Sequence, residues 1–368
     1  MRALYQGAKN VNPTAEDYRR WNDAVRKGMS LAEVTQSVVE EVYRQRLEGE
    51  RERLAAERHA WEAERERFGN ELQAAVQNES APPPEPQPPP AGAPLFVPPG
   101  HFYSPVVDPA EGAEAYERVA RAPWPVSLPG IPLDRETMLA TWRELVPLFE
   151  TSGLTAKPPP NFRYGFENNH YGRVDGLMLS AMIRKFRPSQ IIEIGSGWSS
   201  ACTLDTLQRN LDIRCEVTFI EPYPQLLQDR LGADYAKYRV FAEPVQKVDP
   251  DLFATLGAGD ILFIDSTHVV KTGSDVCFEL FEILPRLKSG VLVHVHDMFW
   301  PFEYPKKWIL EENRSWNEIY AYRALLTDSP DWEIVMFNNY MFTVELEVVK
   351  ATWPAYQTNS SALWLRKR

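Results

Sequence analysis

Carboxylate and imidazole side chains follow two apolar runs in the second half of this 368-residue sequence. Asp265 ends the run ILFID with His268 three residues beyond it, and His296 and Asp297 end the run VLVHVHD. If the two runs are neighbouring strands of one sheet, these four side chains converge. Oxygen and imidazole ligands suit a divalent cation such as Mg²⁺, Mn²⁺ or Fe²⁺, which would lower the pKa of a bound substrate hydroxyl.

The histidines also have roles that need no metal. An imidazole has a pKa near neutrality, so His268 or His296 would serve as a general base that removes a proton from a substrate. His294 and His296 share one face of a buried strand, where a hydrogen-bonded core histidine is the ordinary interpretation. The core interpretation is favoured for His294, and a functional role is favoured for His296.

A glycine loop joins another apolar run to a helix-forming stretch in QIIEIGSGWSSACTL, residues 190–204. Gly195 and Gly197 permit a sharp turn and let a ligand approach main-chain N–H groups without a Cβ in the way. Glu221 ends the next apolar run, where a carboxylate can accept hydrogen bonds from both hydroxyls of a ribose. The loop and this acid predict a nucleotide-type cofactor.

The composition of the loop distinguishes two such cofactors. Ser200 stands where a dinucleotide fingerprint has its third glycine, and Glu193 lies inside the strand just before the loop. A carboxylate at that place suits a cofactor with a positively charged amino-acid end and would sit poorly beside a pyrophosphate. S-adenosylmethionine is therefore favoured over NAD.

Aromatic residues follow Asp297 closely and are accompanied by three charged residues. Aromatic faces beside hydrogen-bonding groups suit a sugar or another polyhydroxylated substrate, although packing of a proline-bent loop explains them almost as well. The residues are Trp300, Phe302, Tyr304 and Trp308, with Glu303, Lys306 and Lys307.

Strands alternate with helices over the second half of the chain, which predicts an α/β protein with a doubly wound parallel sheet. Ligands of such sheets bind beyond the carboxyl ends of the strands, and the loops described above lie there. The predicted helices are 135–149, 174–186, 225–231, 274–287 and 317–326, and the predicted strands after the glycine loop are 216–221, 238–242, 260–265, 290–295, 332–337 and 362–365.

Composition divides the chain into four parts. Residues 1–80 predict a long helical arm, with a helix capped by Ser30, and residues 81–99 hold ten of the 31 prolines and predict an extended linker. A cover segment at 100–160 and a catalytic domain at 161–368 follow. A seven-residue repeat beside arginines predicts a weak coiled coil, with a solvated helix held by Glu–Arg pairs nearly as well supported. The repeat consists of Leu47, Leu54, Trp61 and Phe68.

Charge and cysteine content exclude several classes of function. The net charge of −11, without a Lys and Arg cluster in the catalytic part, argues against a nucleic-acid partner. Cys202, Cys215 and Cys277 have neither disulfide-framework nor zinc-site spacing and suit a reducing compartment. The start of the chain lacks an apolar signal core, and no apolar run approaches about 18 residues. We therefore expect a cytoplasmic protein without a membrane span.

Four motifs carry a resemblance to a known family. EIGSGWSS, FIEPYP, DILFIDSTHVVKTGSDV and VLVHVHDMFWPFEYP resemble those of class I S-adenosylmethionine-dependent methyltransferases, in particular the bacterial branch called methyltransferase family 24. The resemblance covers roughly residues 161–367 and leaves out the arm and the linker. It implies a Rossmann-like sheet of seven strands with an antiparallel last strand.

The resemblance also implies roles for individual residues. The glycine loop would line the methionine end of the cofactor, Glu221 would bind its ribose, and the residues after the third strand would border the adenine. The catechol-type and macrolide-sugar O-methyltransferases hold a metal where this chain has Asp265 and Asp297, but Met298 replaces the asparagine of the catechol-type pattern, so His268 or His296 would have to complete the site. The cofactor-binding residues implied are Glu193, Gly195, Ser196, Gly197, Ser199, Glu221, Val245, Gln246 and Asp265.

Methyl transfer from S-adenosylmethionine to an oxygen is the predicted reaction, with Asp265, His268, His296 and Asp297 as catalytic residues. The acceptor named first is a sugar hydroxyl, since members of this branch resemble enzymes encoded near surface-glycan genes. One alternative is a metal-dependent hydroxylase on the same fold, and another is a non-catalytic protein that binds the cofactor and docks partners or a second copy through the arm. NAD oxidoreduction is disfavoured by the missing glycine.

Overall fold

The computed structural model describes residues 14–30, 32–34, 36, 95–119, 123–168, 170–356 and 360–368. Contacts between Cα atoms divide the chain into two units, Met1–Pro94 and Leu95–Arg368. The four-part division made from composition stays a prediction. The seven-residue repeat of the arm and residues 81–94 of the linker lie outside the described residues.

The described part of the first unit contains one complete helix, α1 at Ala15–Arg26. It begins with a capping box, in which the Asp17 N–H donates to the Thr14 hydroxyl at 3.2 Å and the Thr14 N–H donates to the Asp17 carboxylate at 2.8 Å. A second box follows, in which the Glu33 N–H and the Ser30 hydroxyl are paired at 3.3 Å. The predicted helix cap at Ser30 is confirmed.

A seven-stranded sheet forms the centre of the second unit. Its spatial order is β3-β2-β1-β4-β5-β7-β6, and every pairing is parallel except the two made by the last strand. The predicted doubly wound sheet with an antiparallel last strand is confirmed. The strands are β1 Gln190–Ile194, β2 Glu216–Ile220, β3 Arg239–Phe241, β4 Ile261–Ile264, β5 Leu292–His296, β6 Trp332–Phe337 and β7 Ala362–Lys367.

The register of the sheet brings the functional loops to one level. Ile194, at the end of β1, is paired with Ile220 of β2 and with Ile264 of β4, and Ile264 is paired in turn with Val295 of β5. β2 and β3 lie on one side of β1 and β4 and β5 lie on the other, so the order of the strands reverses at β1. Such a switch point is where open parallel sheets bind their ligands.

Helices cover the sheet and bury their apolar sides against it. Within the cover segment and the catalytic part, α3 packs on α4 and α4 packs on α5. No helix in the described part of the chain is long and apolar enough to cross a membrane. The helices are α2 Pro109–Val119, α3 Arg135–Glu150, α4 Arg173–Phe186, α5 Trp198–Arg209, α6 Gln225–Leu231, α7 Asp275–Phe278, α8 Lys306–Leu310, α9 Glu318–Leu326, α10 Asn338–Thr343 and α11 Leu346–Thr352.

The prediction of one regular α-helix at 274–287 is wrong. Only α7 is α-helical; a π turn follows at Glu279–Ile283 and a 3₁₀ turn at Leu284–Arg286. Pro285 has no N–H with which to continue an α-helix. The π turn carries Glu279 inward, where it is fully buried, and π turns of this kind are frequent at functional sites.

Candidate active site

The loop after β1 approaches β4 most closely at Gly195. Its φ is +80°, and a Cβ there would lie 1.8 Å from the carbonyl oxygen of Asp265, so only glycine fits. The next residue, Ser196, donates its N–H to Glu221 Oε2 at 3.1 Å. Gly197 has extended backbone, which any residue can adopt. A side chain is excluded there for lack of space, because a Cβ would lie 2.9 Å from a leucine side chain of α6.

A first cavity of about 380 Å³ lies beyond the ends of β1, β2 and β4. Glu221 lies on its wall, with the N–H groups of Ser196 and Tyr223 donating to its two carboxylate oxygens at 3.1 and 2.7 Å. These main-chain donors fix the direction of the carboxylate. The predicted cofactor residues that line this cavity are Gly195, Glu221, Val245, Gln246 and Asp265.

The other predicted cofactor residues, Glu193, Ser196, Gly197 and Ser199, do not line the first cavity. The Glu193 carboxylate is fully buried, and its Oε1 accepts hydrogen bonds from the hydroxyls of Ser199 at 2.5 Å and Ser200 at 2.9 Å. Burial raises the pKa of Glu193 to about 8, although both serine bonds oppose that rise. Its Oε2 has no partner among the described residues. Glu193 thus ties β1 to the first turn of α5 and keeps one oxygen unpaired.

The four predicted catalytic residues come together at the ends of β4 and β5, and we call them the Asp–His cluster. His268 Nε2 lies 3.5 Å from Asp265 Oδ1 and 3.7 Å from Asp297 Oδ2. His296 Nε2 lies 3.6 Å from Asp297 Oδ1. His268 and Asp297 both have left-handed backbone, with φ of +61° and +53°, and strained residues of this kind concentrate at functional sites.

A fifth residue, Glu318, completes the cluster and was not predicted. It begins α9, is fully buried, and lies 2.8 Å from His268 Nδ1. Burial alone would lower the pKa of His268, but the hydrogen bond and charge of Glu318, with the charges of Asp265 and Asp297, raise it to about 9. His268 is therefore a cation at neutral pH. In the sequence, an acid in the first turn of a helix is ordinary, so no signal marked it.

The remaining wall of the cluster comes from residues before β1. The Tyr171 ring lies 5.3 Å from that of His296, and the Asp175 carboxylate accepts the Ser360 hydroxyl at 2.5 Å. Burial raises the pKa of Asp175. Burial alone would lower the pKa of His296, but the charges of Asp265, Asp297 and Asp175 raise it. The contacts of Tyr171 and Asp175 with the cluster form only when the chain folds, so the sequence motifs could not predict them.

His294 is a core residue, as predicted. Its ring stacks on Phe263 at 4.0 Å, and burial lowers its pKa well below the ordinary value. Neither ring nitrogen has a partner among the described residues. The predicted hydrogen bonding of this histidine is therefore wrong, and aromatic stacking holds it instead.

The aromatic residues after Asp297 divide into two groups. Trp300 and Phe302 are buried in the core, and the Trp300 indole donates to the carbonyl of Pro125 at 2.7 Å. Tyr304 and Trp308 line a second cavity of about 280 Å³. Glu303 lines it as well, whereas Lys306 and Lys307 pair with Glu117 and Glu312.

The Asp–His cluster does not fit a resident divalent cation. Over the described ranges, no group of three or more His, Cys, Asp or Glu side chains is arranged to hold a metal ion. His268 is already bonded to Glu318 through Nδ1, and its cationic ring lies beside both aspartates. The geometry therefore does not support the metal site predicted at Asp265, His268, His296 and Asp297.

Comparison with known proteins assigns the family. A family model described as a methyltransferase domain matches residues 192–298. An uncharacterized protein of Archaeoglobus fulgidus is 32% identical over 163 residues, which cover 44% of this chain and 74% of that protein. The chain belongs to the class I methyltransferase family. The matched segment of the methyltransferase runs from β1 to just past β5, and so contains the glycine loop, Glu221 and every residue of the Asp–His cluster except Glu318.

Two solved methyltransferases are similar to this chain at much lower sequence identity. A Podospora anserina methyltransferase bound to S-adenosylhomocysteine is 16% identical and covers 66% of this chain and 99% of its own, with a TM-score of 0.35. A Bacillus cereus O-methyltransferase in complex with S-adenosylhomocysteine is 12% identical and covers 70% of this chain and 96% of its own, with a TM-score of 0.34. Likenesses this remote do not assign the reaction of this methyltransferase.

Proposed function

We propose that this methyltransferase transfers the methyl group of S-adenosylmethionine to an oxygen of a small-molecule acceptor. The observation that carries the proposal is the position of Asp265, which belongs to the Asp–His cluster and also lines the first cavity. Proton-transfer groups and the cofactor cavity thus share a wall. This arrangement is what transfer to a hydroxyl requires, because the hydroxyl must lose its proton beside the methyl donor.

The residues around the first cavity fit S-adenosylmethionine. Glu221 offers a carboxylate already oriented by two main-chain donors, as ribose hydroxyls require. Gly195 has no side chain where the loop comes closest to Asp265. Glu193 does not line the cavity, but it keeps a buried, unpaired oxygen, and a positively charged amino group close to it would favour its ionised form. When bound, the cofactor supplies an electrophilic methyl group.

The Asp–His cluster supplies the proton chemistry. Because His268 carries a positive charge at neutral pH, it is a poor general base, and it instead offsets the negative charge that develops on the acceptor oxygen. Asp297 is the proton acceptor in this scheme; Ser361 donates to its Oδ1 at 2.9 Å, which leaves Oδ2 for the acceptor hydroxyl. Asp297 would take the hydroxyl proton, and the bound cofactor would supply its methyl group to the acceptor oxygen and be released as S-adenosylhomocysteine.

Several finer predictions stay predictions. A sugar hydroxyl is one member of the proposed class of acceptors, and a partner or second copy that docks on the helical arm concerns residues outside the described ranges. The metal-dependent hydroxylase, the alternative reaction on this fold, requires a metal at the Asp–His cluster, and the geometry of the cluster does not support one.

Calorimetric titration of the purified chain with S-adenosylhomocysteine tests the proposal, with NADH as the control ligand. We expect micromolar binding of S-adenosylhomocysteine, no binding of NADH, and the same affinity after EDTA treatment. Binding of NADH in place of S-adenosylhomocysteine would contradict the proposal.

A further inference from the structure

Trp316 lies two residues before Glu318 in the chain, and its side chain contacts the ring of His268. The centroids of the two rings are 4.4 Å apart, and their planes are inclined at 41°. The face of an indole attracts a cation within about 6 Å of its centroid, most strongly where water is excluded. The proposed transfer gives this indole no part, although it lies against the residue that carries the positive charge.

Residues 316–318 contact both the main chain and the ring of His268. The N–H groups of Asn317 and Glu318 donate to the His268 carbonyl at 3.2 Å. The Asn317 side chain accepts the Val270 N–H at 2.6 Å and donates to the Val270 carbonyl at 3.3 Å. Glu318 is bonded to Nδ1 of the His268 ring at 2.8 Å. The indole therefore belongs to a segment whose other two residues are already bonded to the loop that carries His268.

The indole of Trp316 is itself held by its neighbours. The Arg314 guanidinium lies 4.6 Å from the Trp316 ring and 3.9 Å from the Trp308 ring, and Glu312 accepts from its Nε at 2.7 Å. The Trp308 ring meets the Trp316 ring at 77° with their centroids 5.3 Å apart, and the Tyr304 ring meets it at 74° and 5.9 Å. These contacts fix the direction of the indole.

Trp316 also separates His268 from the second cavity. Trp316 lines that cavity, whereas His268, which is buried, does not. Burial alone would lower the pKa of His268, yet its carboxylate neighbours raise it to about 9. Electrostatic interactions of this kind weaken when water enters. An aromatic wall at this place therefore preserves the field in which the cation acts.

We propose that Trp316 is a positioning residue for the methyl transfer, whose indole holds the cationic ring of His268 in place and keeps the water of the second cavity away from it. A charge fixed in direction and shielded from water stabilises a developing oxyanion better than a mobile, hydrated one. The inference rests on the proposed function for the role of His268. It adds a residue that lies outside the Asp–His cluster.

The test follows the His268 imidazole by NMR in the full chain with isotope-labelled histidine, without cofactor or acceptor. The His268 signal is the one that disappears in His268→Asn. Two properties are measured, the exchange of its Nδ1–H with water and its pKa. Trp316→Leu removes the aromatic face, and Trp316→Phe keeps a smaller one. If Trp316→Leu fails to fold by circular dichroism, Trp316→Met takes its place.

Trp308→Leu is the matched control for these variants. It removes an indole from the same cavity, at a position whose described ring contacts are with Phe299, Tyr304 and Trp316 and not with His268. A general loosening of the cavity wall would affect Trp308→Leu and Trp316→Leu alike. An effect on His268 through direct contact appears only in the second.

We expect Nδ1–H exchange to be about tenfold faster in Trp316→Leu than in the wild type, because the smaller side chain opens a path for water. The pKa of His268 should fall from about 9 toward its ordinary value of 6.5, since the indole no longer attracts the cation and water screens the carboxylates. Trp316→Phe should lie between the two, and Trp308→Leu should resemble the wild type. Unchanged exchange and pKa in Trp316→Leu, or an equal effect of Trp308→Leu, overturn the inference.

Calorimetric titration of the same proteins with S-adenosylhomocysteine separates this inference from the proposed function. Trp316 does not line the first cavity, so we expect binding to be intact in every variant. Failure of the wild-type chain to bind S-adenosylhomocysteine would contradict the proposed function. The NMR result tests the contact between Trp316 and His268 independently, because it needs neither cofactor nor turnover.

Discussion

Replacing Glu318 by glutamine tests the assignment of a positive charge to His268. The substitution keeps the shape of the side chain and removes the charge that lies 2.8 Å from His268 Nδ1. Burial of the ring then dominates, since it alone acts to lower the pKa of His268. We expect the pKa of His268 to fall from about 9 to near or below its ordinary value of 6.5.

The size of the expected change in the free energy of unfolding follows from these two pKa values. The difference between 6.5 and about 9 corresponds to roughly 3 kcal/mol in favour of the protonated ring. Because the pKa of the folded state is the higher one, this stabilisation is fully present below pH 6.5 and is lost as the pH rises through 9. The free energy of unfolding of the wild type should therefore fall over this window by roughly 3 kcal/mol more than that of Glu318→Gln.

Histidine side-chain NMR measures the pKa directly, with the signal among the chain's six histidines assigned through His268→Asn. Urea unfolding at pH 6 and above pH 9 gives the difference in stability. Glu312→Gln is the control, because Glu312 forms a surface pair with Arg314 and has its pKa lowered by it, so it stays ionised throughout the window. A His268 pKa that remains near 9 in Glu318→Gln would refute the reasoning and assign the charge to the aspartates.

Three further predictions concern the cofactor and the reaction. Asp297→Asn should lower kcat about 10²–10⁴-fold, the usual contribution of a general base, while calorimetry shows unchanged S-adenosylhomocysteine affinity; unchanged kcat would remove Asp297 from the mechanism. Glu221→Ala should weaken S-adenosylhomocysteine binding about 10-fold or more, since it removes charge-assisted hydrogen bonds, and equal affinity in calorimetry would contradict the ribose role. Glu193→Gln should remove a fall in the free energy of unfolding between pH 4.5 and about 8. In the wild type the raised pKa makes ionisation of the folded state unfavourable, so stability falls as the pH rises over this range. Urea unfolding that gives parallel pH profiles for the two proteins would count against a buried acid.

Local patterns of the sequence were sufficient to predict the bounds of some elements. The bounds of β6 and α6 were predicted as observed, because apolar runs and turn residues mark them. Asp265 and Asp297 were expected to meet, since adjacent parallel strands end at one edge, and their shared contacts with His268 confirm it.

Contacts between distant segments could not be predicted in this way. Glu318 reaches His268 across 50 residues of chain, and its sequence context is that of an ordinary helix start. The aromatic run after Asp297 has one composition but two environments, with Trp300 in the core and Trp308 on a cavity. Whether such a residue is buried depends on which distant segments pack against it, and the local sequence does not specify them.

The place of β7 affects how the methyltransferase is made on the ribosome. β7 lies between β5 and β6 but follows both in the chain, so these strands have open edges until it emerges. Ser361, just before β7, accepts the Met298 N–H through its carbonyl and bonds Asp297 through its hydroxyl. A nascent chain without this segment already contains the glycine loop and Glu221, but Asp297, the proposed proton acceptor, lacks its hydrogen bond from Ser361. We therefore expect a chain released before Ser361 to be inactive and to have an exposed strand edge that invites aggregation.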